Sequence, residues 1–306
     1  MERPFKKVKE VVLIEALSRR FKARDRSVVV SIGDDAAVLR WTKEKYLLYT
    51  VDMLVEGVHF KKGEDLKKVG YKAMAVSVSD IAAMGGLPKH ALVSVGLPKA
   101  HAEASLRALS AGIASCARQF KVDVIGGDTN RSPHLVVDVF MTGEVLRRHL
   151  ALRRGARPGD HIFVSGTLGG SLAAKHLSFM PRVKEAQFLV KNFKVTSMMD
   201  LSDGLAMDLN RLVQASRCGA MIFEYKIPKS SGCLTINQAL CDGEDFELLF
   251  TLACKDAQSL LAMTNKKKAP CRFFQIGRMT DLFGGVRMVT NRGRLREIHC
   301  RGFQHV

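Results

Sequence analysis

Aspartates recur where strand-like segments run out. Asp34 and Asp35 follow the β-branched run Val28-Val29-Val30 through Ile32-Gly33, Asp52 follows Tyr46 to Val51, Asp128 follows Val122 to Gly127, and Asp200 and Asp203 follow Thr196 to Met199. A sheet gathers its strand ends on one edge, so these carboxylates are expected to converge although they lie far apart in sequence. Converging carboxylates raise each other's pKa unless a cation sits among them. Mg2+ takes oxygen ligands of this kind together with phosphate oxygens and water, so the pattern points to a phosphate site holding several Mg2+ ions. Asp80, inside Ser77-Val78-Ser79-Asp80-Ile81-Ala82, joins the set. For any single member a turn or a helix N-cap is the commoner use, as Asp203 before Gly204-Leu205 illustrates. The joint pattern carries the reading.

Glycines punctuate the same places: Gly126-Gly127-Asp128, Gly169-Gly170-Ser171 and Asp242-Gly243-Glu244-Asp245. Glycine lets backbone N–H groups approach a phosphate closely. Neither a P-loop nor a dinucleotide-binding glycine fingerprint occurs, so a nucleotide would be held in another way.

The elements that must position these residues alternate along the whole chain. Strands are expected at 27–31, 46–51, 90–96, 122–126, 134–145, 160–165, 196–200, 219–225, 246–251 and 272–276 from clustered β-branched and aromatic residues bounded by turn signals. Helices are expected from Asp65 to Met84, stopped by Gly85-Gly86 and Pro88, and over 100–119, 168–177, 182–192 and Gly204 to Ser216. The Arg-rich stretch 146–159 ends in Arg157-Pro158-Gly159, which sets the expected domain boundary near 146, with domains 1–145 and 146–306.

The 306 residues suit about two domains. Lys and Arg number 48 against 30 Asp and Glu, a net charge of +18, and 47% of residues are hydrophobic. That composition excludes a disordered or disulfide-scaffold chain. A basic surplus fits nucleic acid, an anionic membrane or a polyphosphate ligand. With one Trp and four Tyr for base stacking, nucleic acid is the weaker choice. Seven scattered cysteines without a Cys-x-x-Cys pair point to a reducing compartment, and the lack of a long apolar run points to a cytoplasmic protein outside the membrane.

The ordered segments 31–37, 51–60, 71–85, 126–129, 199–205 and 243–250 resemble the motifs of the thiamine-monophosphate kinase family. Leu54-Val55-Glu56-Gly57-Val58-His59-Phe60 and the terminal Gly302-Phe303-x-His305 separate that family from its relatives in the aminoimidazole-ribotide-synthetase superfamily. The resemblance implies an α+β, PurM-like fold of two domains, a homodimer paired through the N-terminal domains, and Mg2+-dependent transfer of phosphate from ATP to thiamine monophosphate without a phosphoenzyme. It implies Mg2+ ligation by Asp35, Asp52, Asp80, Asp128, Asp200 and Asp203, a hydroxyl contact from Thr50, ATP contacts from Gly127, Asp128, Arg153 and Ser202, and thiamine phosphate contacts from His59, Glu244 and Phe303. Asp52, Asp128 and Asp203 would carry the transfer through metal-bound phosphates, with no general base.

Two departures stand out: Val51 precedes Asp52 where the family usually has a hydroxyl, and Cys241-Asp242 replaces small residues before Gly243-Glu244-Asp245. The competing readings are another ATP-using superfamily member, making aminoimidazole ribotide, selenophosphate or a hydrogenase cofactor precursor, and a basic nucleic-acid-binding protein on an old fold.

Overall fold

Asp65 closes the start of the longest buried helix by accepting a hydrogen bond from the Lys67 N–H at 2.9 Å. In the computed structural model, which describes residues 10–99, 103–173, 175–281 and 285–298, everything at the site is arranged around that helix. The first half of the chain runs α1 (Glu10–Arg20), β1 (Val28–Val30), β2 (Ala37–Arg40), β3 (Lys45–Val55), α2 (Leu66–Ala83), β4 (Leu87–Leu97), α3 (Glu103–Phe120), β5 (Asp123–Arg131) and β6 (Val136–Leu146). Its six strands form one sheet in the order β1-β2-β3-β6-β4-β5, antiparallel except for the β4–β5 pair.

The second half runs β7 (His161–Val164), α4 (Val183–Asn192), β8 (Val195–Asp200), α5 (Leu205–Ser216), β9 (Gly219–Phe223), α6 (Ile236–Cys241), β10 (Leu248–Leu252), α7 (Cys254–Asn265), β11 (Phe274–Thr280), β12 (Val286–Val289) and β13 (Leu295–Glu297). Seven strands form the second sheet, in the order β13-β12-β9-β11-β7-β10-β8. Two mixed sheets with packed helices make the α+β architecture anticipated from the sequence. Among the described residues, no helix is long and apolar enough to cross a membrane.

Helix α2 is apolar nearly all round, and such a helix belongs inside. It packs against α3 on one side, against β3 and β6 on another, and against α4 and β8 of the second half. Gly70 and Gly112 let α2 and α3 meet: a Cβ on Gly112 would lie 1.9 Å from the Lys67 carbonyl oxygen, and one on Gly70 would lie 2.1 Å from that of Leu109. Ala82 and Ala83 at the end of α2 share an apolar cluster with Phe163, Met198 and Phe250 of the second sheet.

Three expectations need correction. The helix at 168–177 is absent; short 3-10 turns stand at Ser171–Ala173 and Lys175–Leu177 instead. Gly169 and Gly170 adopt φ of 80° and 71°, and a Cβ on either would meet neighbouring atoms at 2.7 to 2.8 Å, so the chain turns here where a helix would have to begin. Strands β3 and β5 run past their expected ends, which leaves Asp52 and Asp128 within strands and not beyond them. Pairing explains β3, since β6 matches it residue for residue from Lys45 to Val55. Finally, Cys116, Cys218, Cys233, Cys254 and Cys271 are free thiols while Cys241 is disulfide-bonded, so the expectation of a reducing compartment rests on the five.

Candidate active site

Because α2 is largely buried from Val69 onward, each polar residue inside that stretch must find a partner there or remain costly. Ser77 Oγ donates to Asp52 Oδ2 on β3 at 2.8 Å. Ser79 Oγ donates to Asp200 Oδ2 at the end of β8 at 2.5 Å. Asp80 Oδ2 accepts from Thr50 Oγ1 on β3 at 2.5 Å. One helical turn therefore joins carboxylates from both sheets.

Asp35 reaches the same place from the loop between β1 and β2. One carboxylate oxygen each from Asp35, Asp80 and Asp200 lies within 4.8 Å of the other two. Asp35 Oδ1 accepts from Arg153 Nε at 3.0 Å and from its Nη2 at 2.5 Å, while buried Asp35 Oδ2 has no partner. Burial pushes the Asp80 and Asp200 carboxyls well above their ordinary range, and neighbouring carboxylates add to it: Asp52 and Asp200 on Asp80, Asp35 on Asp200. Burial also raises Asp35, against the opposing pull of Arg153. Asp52 is pushed up to about 6 by burial, with Asp138 and Asp35 contributing. Buried, mutually repelling carboxylates with an unpartnered oxygen are what a hard divalent cation would relieve.

Asp203 sits one loop away, in an ion pair with Arg211 Nη1. It does not cap α5. The carboxylate of Asp208, one turn inside that helix, accepts from the N–H groups of Asp203 and Gly204 at 3.0 and 3.1 Å. Asp208 is fully buried and pushed by burial, with help from Asp203, up to about 7.

Asp128 is not brought into this group. It lies on β5, exposed at all nine positions, with its carboxylate accepting from the Thr129 N–H at 2.8 Å and from Asn130 Nδ2 at 2.7 Å. Beside it, a Cβ on Gly127 would fall 1.8 Å from the Val93 carbonyl oxygen, so close strand packing already requires that glycine. The Gly169 and Gly170 N–H groups are engaged too: Gly169 donates to Asp245 at 2.9 and 3.1 Å and Gly170 to Asp242 at 3.1 Å. Asp242 thus braces a turn. At the position where a hydroxyl was expected, the Val51 side chain is exposed, while the neighbouring Thr50 hydroxyl is buried and donates to Asp80.

His59 and Glu244 come together at a second centre. Lys72 of α2, wholly buried, donates from Nζ to the His59 carbonyl at 2.9 Å and to Glu244 Oε1 and Oε2 at 2.7 and 2.6 Å. His176 Nδ1 lies 2.9 Å from Glu244 Oε2. Burial pushes the Glu244 carboxyl up, but the contacts of His176 and Lys72 outweigh it and hold it below its ordinary value. The loop is fixed by Glu244 N–H to Ser202 O at 2.7 Å and Phe246 N–H to Leu201 O at 2.8 Å, so the backbone of Leu201 and Ser202 anchors the Glu244 segment. Phe303 lies outside the described residues.

Lys72, Ser77, Ser79, Asp208 and Arg211 were not singled out from the sequence, and Asp34 was placed among the converging aspartates without a role of its own. The signal for the first three was present, since a polar residue within an apolar helical stretch needs a buried partner. Asp34 accepts from the Arg153 N–H at 3.2 Å, and burial and Asp35 push its carboxyl up to about 7.

Residues 33–145 match the family profile of the AIR synthase related protein N-terminal domain, and residues 157–289 that of its C-terminal domain. The chain is 34% identical over 327 residues to a thiamine-monophosphate kinase of Buchnera aphidicola subsp. Acyrthosiphon pisum, covering 98% of this chain and 99% of that one. It is 36% identical over 263 residues to that of Bacillus subtilis, covering 76% and 81%. A solved structure, AaThiL complexed with AMPPCP and TMP, superposes with a TM-score of 0.84 at 31% identity over 100% of both chains. On this sequence similarity along its whole length, the chain belongs to the thiamine-monophosphate kinase family.

Proposed function

We propose that this chain transfers a phosphoryl group from ATP to the phosphate of thiamine monophosphate, giving thiamine diphosphate and ADP, and that Mg2+ is required. The observation that carries the reading is the convergence of Asp35, Asp80 and Asp200 from three separate elements, with Asp35 Oδ2 buried and unpartnered. The all-oxygen donor set suits Mg2+. Asp35, Asp52, Asp80, Asp200 and Asp203 would hold it with the Thr50 hydroxyl nearby, while Asp128, apart from this group on the exposed strand, is assigned to ATP. Bound there, Mg2+ neutralises phosphate charge and orients the reacting oxygens.

The chain's own residues supply the rest. The acceptor phosphate has a second pKa of about 6 and is largely ionised at neutral pH, so no side chain needs to take a proton from it. What remains is to bring two anions into line, which calls for positioning and positive charge. Arg153 provides a fixed cation at the cluster, held by Asp35 through its side chain and by Asp34 through its backbone N–H. Gly127 and Ser202 are assigned to ATP, and His59, Glu244 and Phe303 to thiamine monophosphate. The solved relative named with AMPPCP and TMP supports both substrates.

A homodimer paired through the first sheet fits the exposed apolar side chains Val51 and Met53 on β3, Leu92 on β4, and Val124 and Ile125 on β5. An unpaired edge such as β5 is normally covered in the working protein. The five free thiols are consistent with the cytoplasm. The test is substitution: Asp52→Asn and Asp203→Asn should each abolish Mg2+-dependent formation of thiamine diphosphate while circular dichroism stays that of the parent. Near-normal turnover in both variants would remove the metal assignment.

A further inference from the structure

We infer that Lys72 is the positioning residue of the acceptor pocket, a buried cation that holds His59 and Glu244 in one geometry and sets that geometry at a fixed distance from the carboxylate cluster. The inference rests on the reading of His59 and Glu244 as the thiamine monophosphate side of the site.

Four observations support it. The Lys72 ammonium has no solvent contact, and its bonds go to two segments far apart in sequence: the His59 carbonyl at 2.9 Å and both Glu244 oxygens at 2.7 and 2.6 Å. An ammonium has three N–H groups, which the His59 carbonyl and the two Glu244 oxygens take up, while His176 Nδ1 lies 2.9 Å from the same carboxylate. The Glu244 segment is shaped by unusual backbone, with Glu244 at φ 54° and Phe246 at φ 49°, which non-glycine residues adopt only where surrounding contacts over-determine them. Phe246, two residues past Glu244, stacks on Phe179, three residues past His176, at 4.0 Å between centroids. Lastly, Lys72 and Asp80 are eight positions apart on one straight helix, a separation of about 12 Å along the axis. A single rigid element therefore fixes where the acceptor pocket lies relative to the metal cluster.

Burying a lysine and a glutamate together gives little net stability compared with an apolar pair, and a buried ion pair is better explained by the specificity of position it imposes. Here the position imposed is that of a carboxylate and a loop assigned to one substrate and not the other. Loss of the ammonium should accordingly be felt selectively.

The experiment compares Lys72→Met, of similar length and without charge, with the full-length parent in steady-state kinetics, varying each substrate in turn at saturating Mg2+. The expected result is a KM for thiamine monophosphate raised about tenfold or more, a KM for ATP changed by less than about twofold, and partial recovery in Lys72→Arg. Equal effects on both KM values, or a lowered melting temperature with unchanged kinetics, would reduce Lys72 to a structural residue and overturn the inference. If Lys72→Met does not fold, hydrogen exchange on the parent protein decides. Segments 55–60 and 243–248 should slow together on adding thiamine monophosphate and stay unchanged with MgATP alone; no slowing in either would refute the role. A parent protein that makes no thiamine diphosphate would instead refute the proposed function, so the two failures are distinguishable.

Discussion

Asp245 stands outside the carboxylate cluster and shows what burial does to a single acid in this protein. It is 2% exposed, accepts from the Gly169 N–H through its two oxygens, and is pushed by burial up to about 7. An acid whose folded-state pKa is raised binds more protons folded than unfolded between its two pKa values. Stability is then lost as pH rises from about 4 through about 7. Asp245→Asn keeps an acceptor for Gly169 and removes the charge. Its melting temperature should therefore decline less than the parent's between pH 5 and 8, a slope read directly by thermal denaturation; parallel slopes would mean that Asp245 ionises freely in the fold. The same physics operates at Asp35, Asp80 and Asp200, where burial and like charge act together. There a bound divalent cation, as proposed, would relieve the repulsion.

At the scale of elements, α2 carries most of the design. Its limits were legible in the sequence because they are local: Asp65 caps the start, and Gly85-Gly86 and Pro88 end it. Its crossing with α3 depends on Gly70 and Gly112. Gly112→Ala would drive a methyl to 1.9 Å from the Lys67 carbonyl, so the helices must separate. We expect a loss of about 1–3 kcal/mol in urea denaturation, with the KM for ATP unchanged in the folded protein; an unperturbed midpoint would mean that the helices separate without strain.

Other features were not legible because tertiary contacts decide them. Asp52 and Asp128 were expected just past strand ends, but β3 continues through Asp52 because β6 pairs with it throughout, and β5 continues through Asp128 beside β4. The expected helix at 168–177 had the right apolar content, but Gly169 and Gly170 turn against residues of the loop near Cys233, a contact across 60 residues that no local pattern reveals. Asp203 looked like a helix cap, and Asp208 performs that role from within the helix. The cluster itself was legible residue by residue, whereas Lys72 and Arg211 were hidden until their partners were in place.

Over the whole molecule, the first sheet presents an apolar surface that the single chain leaves uncovered, with Ile125 64% and Val51 60% exposed. If a second copy covers it, Ile125→Asp places a charge in the contact. The variant should sediment as a monomer at concentrations where the parent is dimeric. A parent that is itself monomeric at assay concentration would end the dimer proposal and leave Asp128 to act from a solvent-exposed strand.

The net charge of +18 also reads differently at this scale. An acidic cleft, with Arg153 and Arg211 paired to Asp35 and Asp203, lies inside a chain whose remaining surface is strongly basic. Such a surface favours the approach of polyanionic substrates.

The most direct measurement mixes the purified full-length protein with thiamine monophosphate, ATP and Mg2+ and follows ADP and thiamine diphosphate together. The account predicts that the two products appear in equal amounts, that neither forms when Mg2+ is chelated, and that omitting thiamine monophosphate stops ADP release. ADP released without thiamine diphosphate, or turnover that persists without Mg2+, would contradict it.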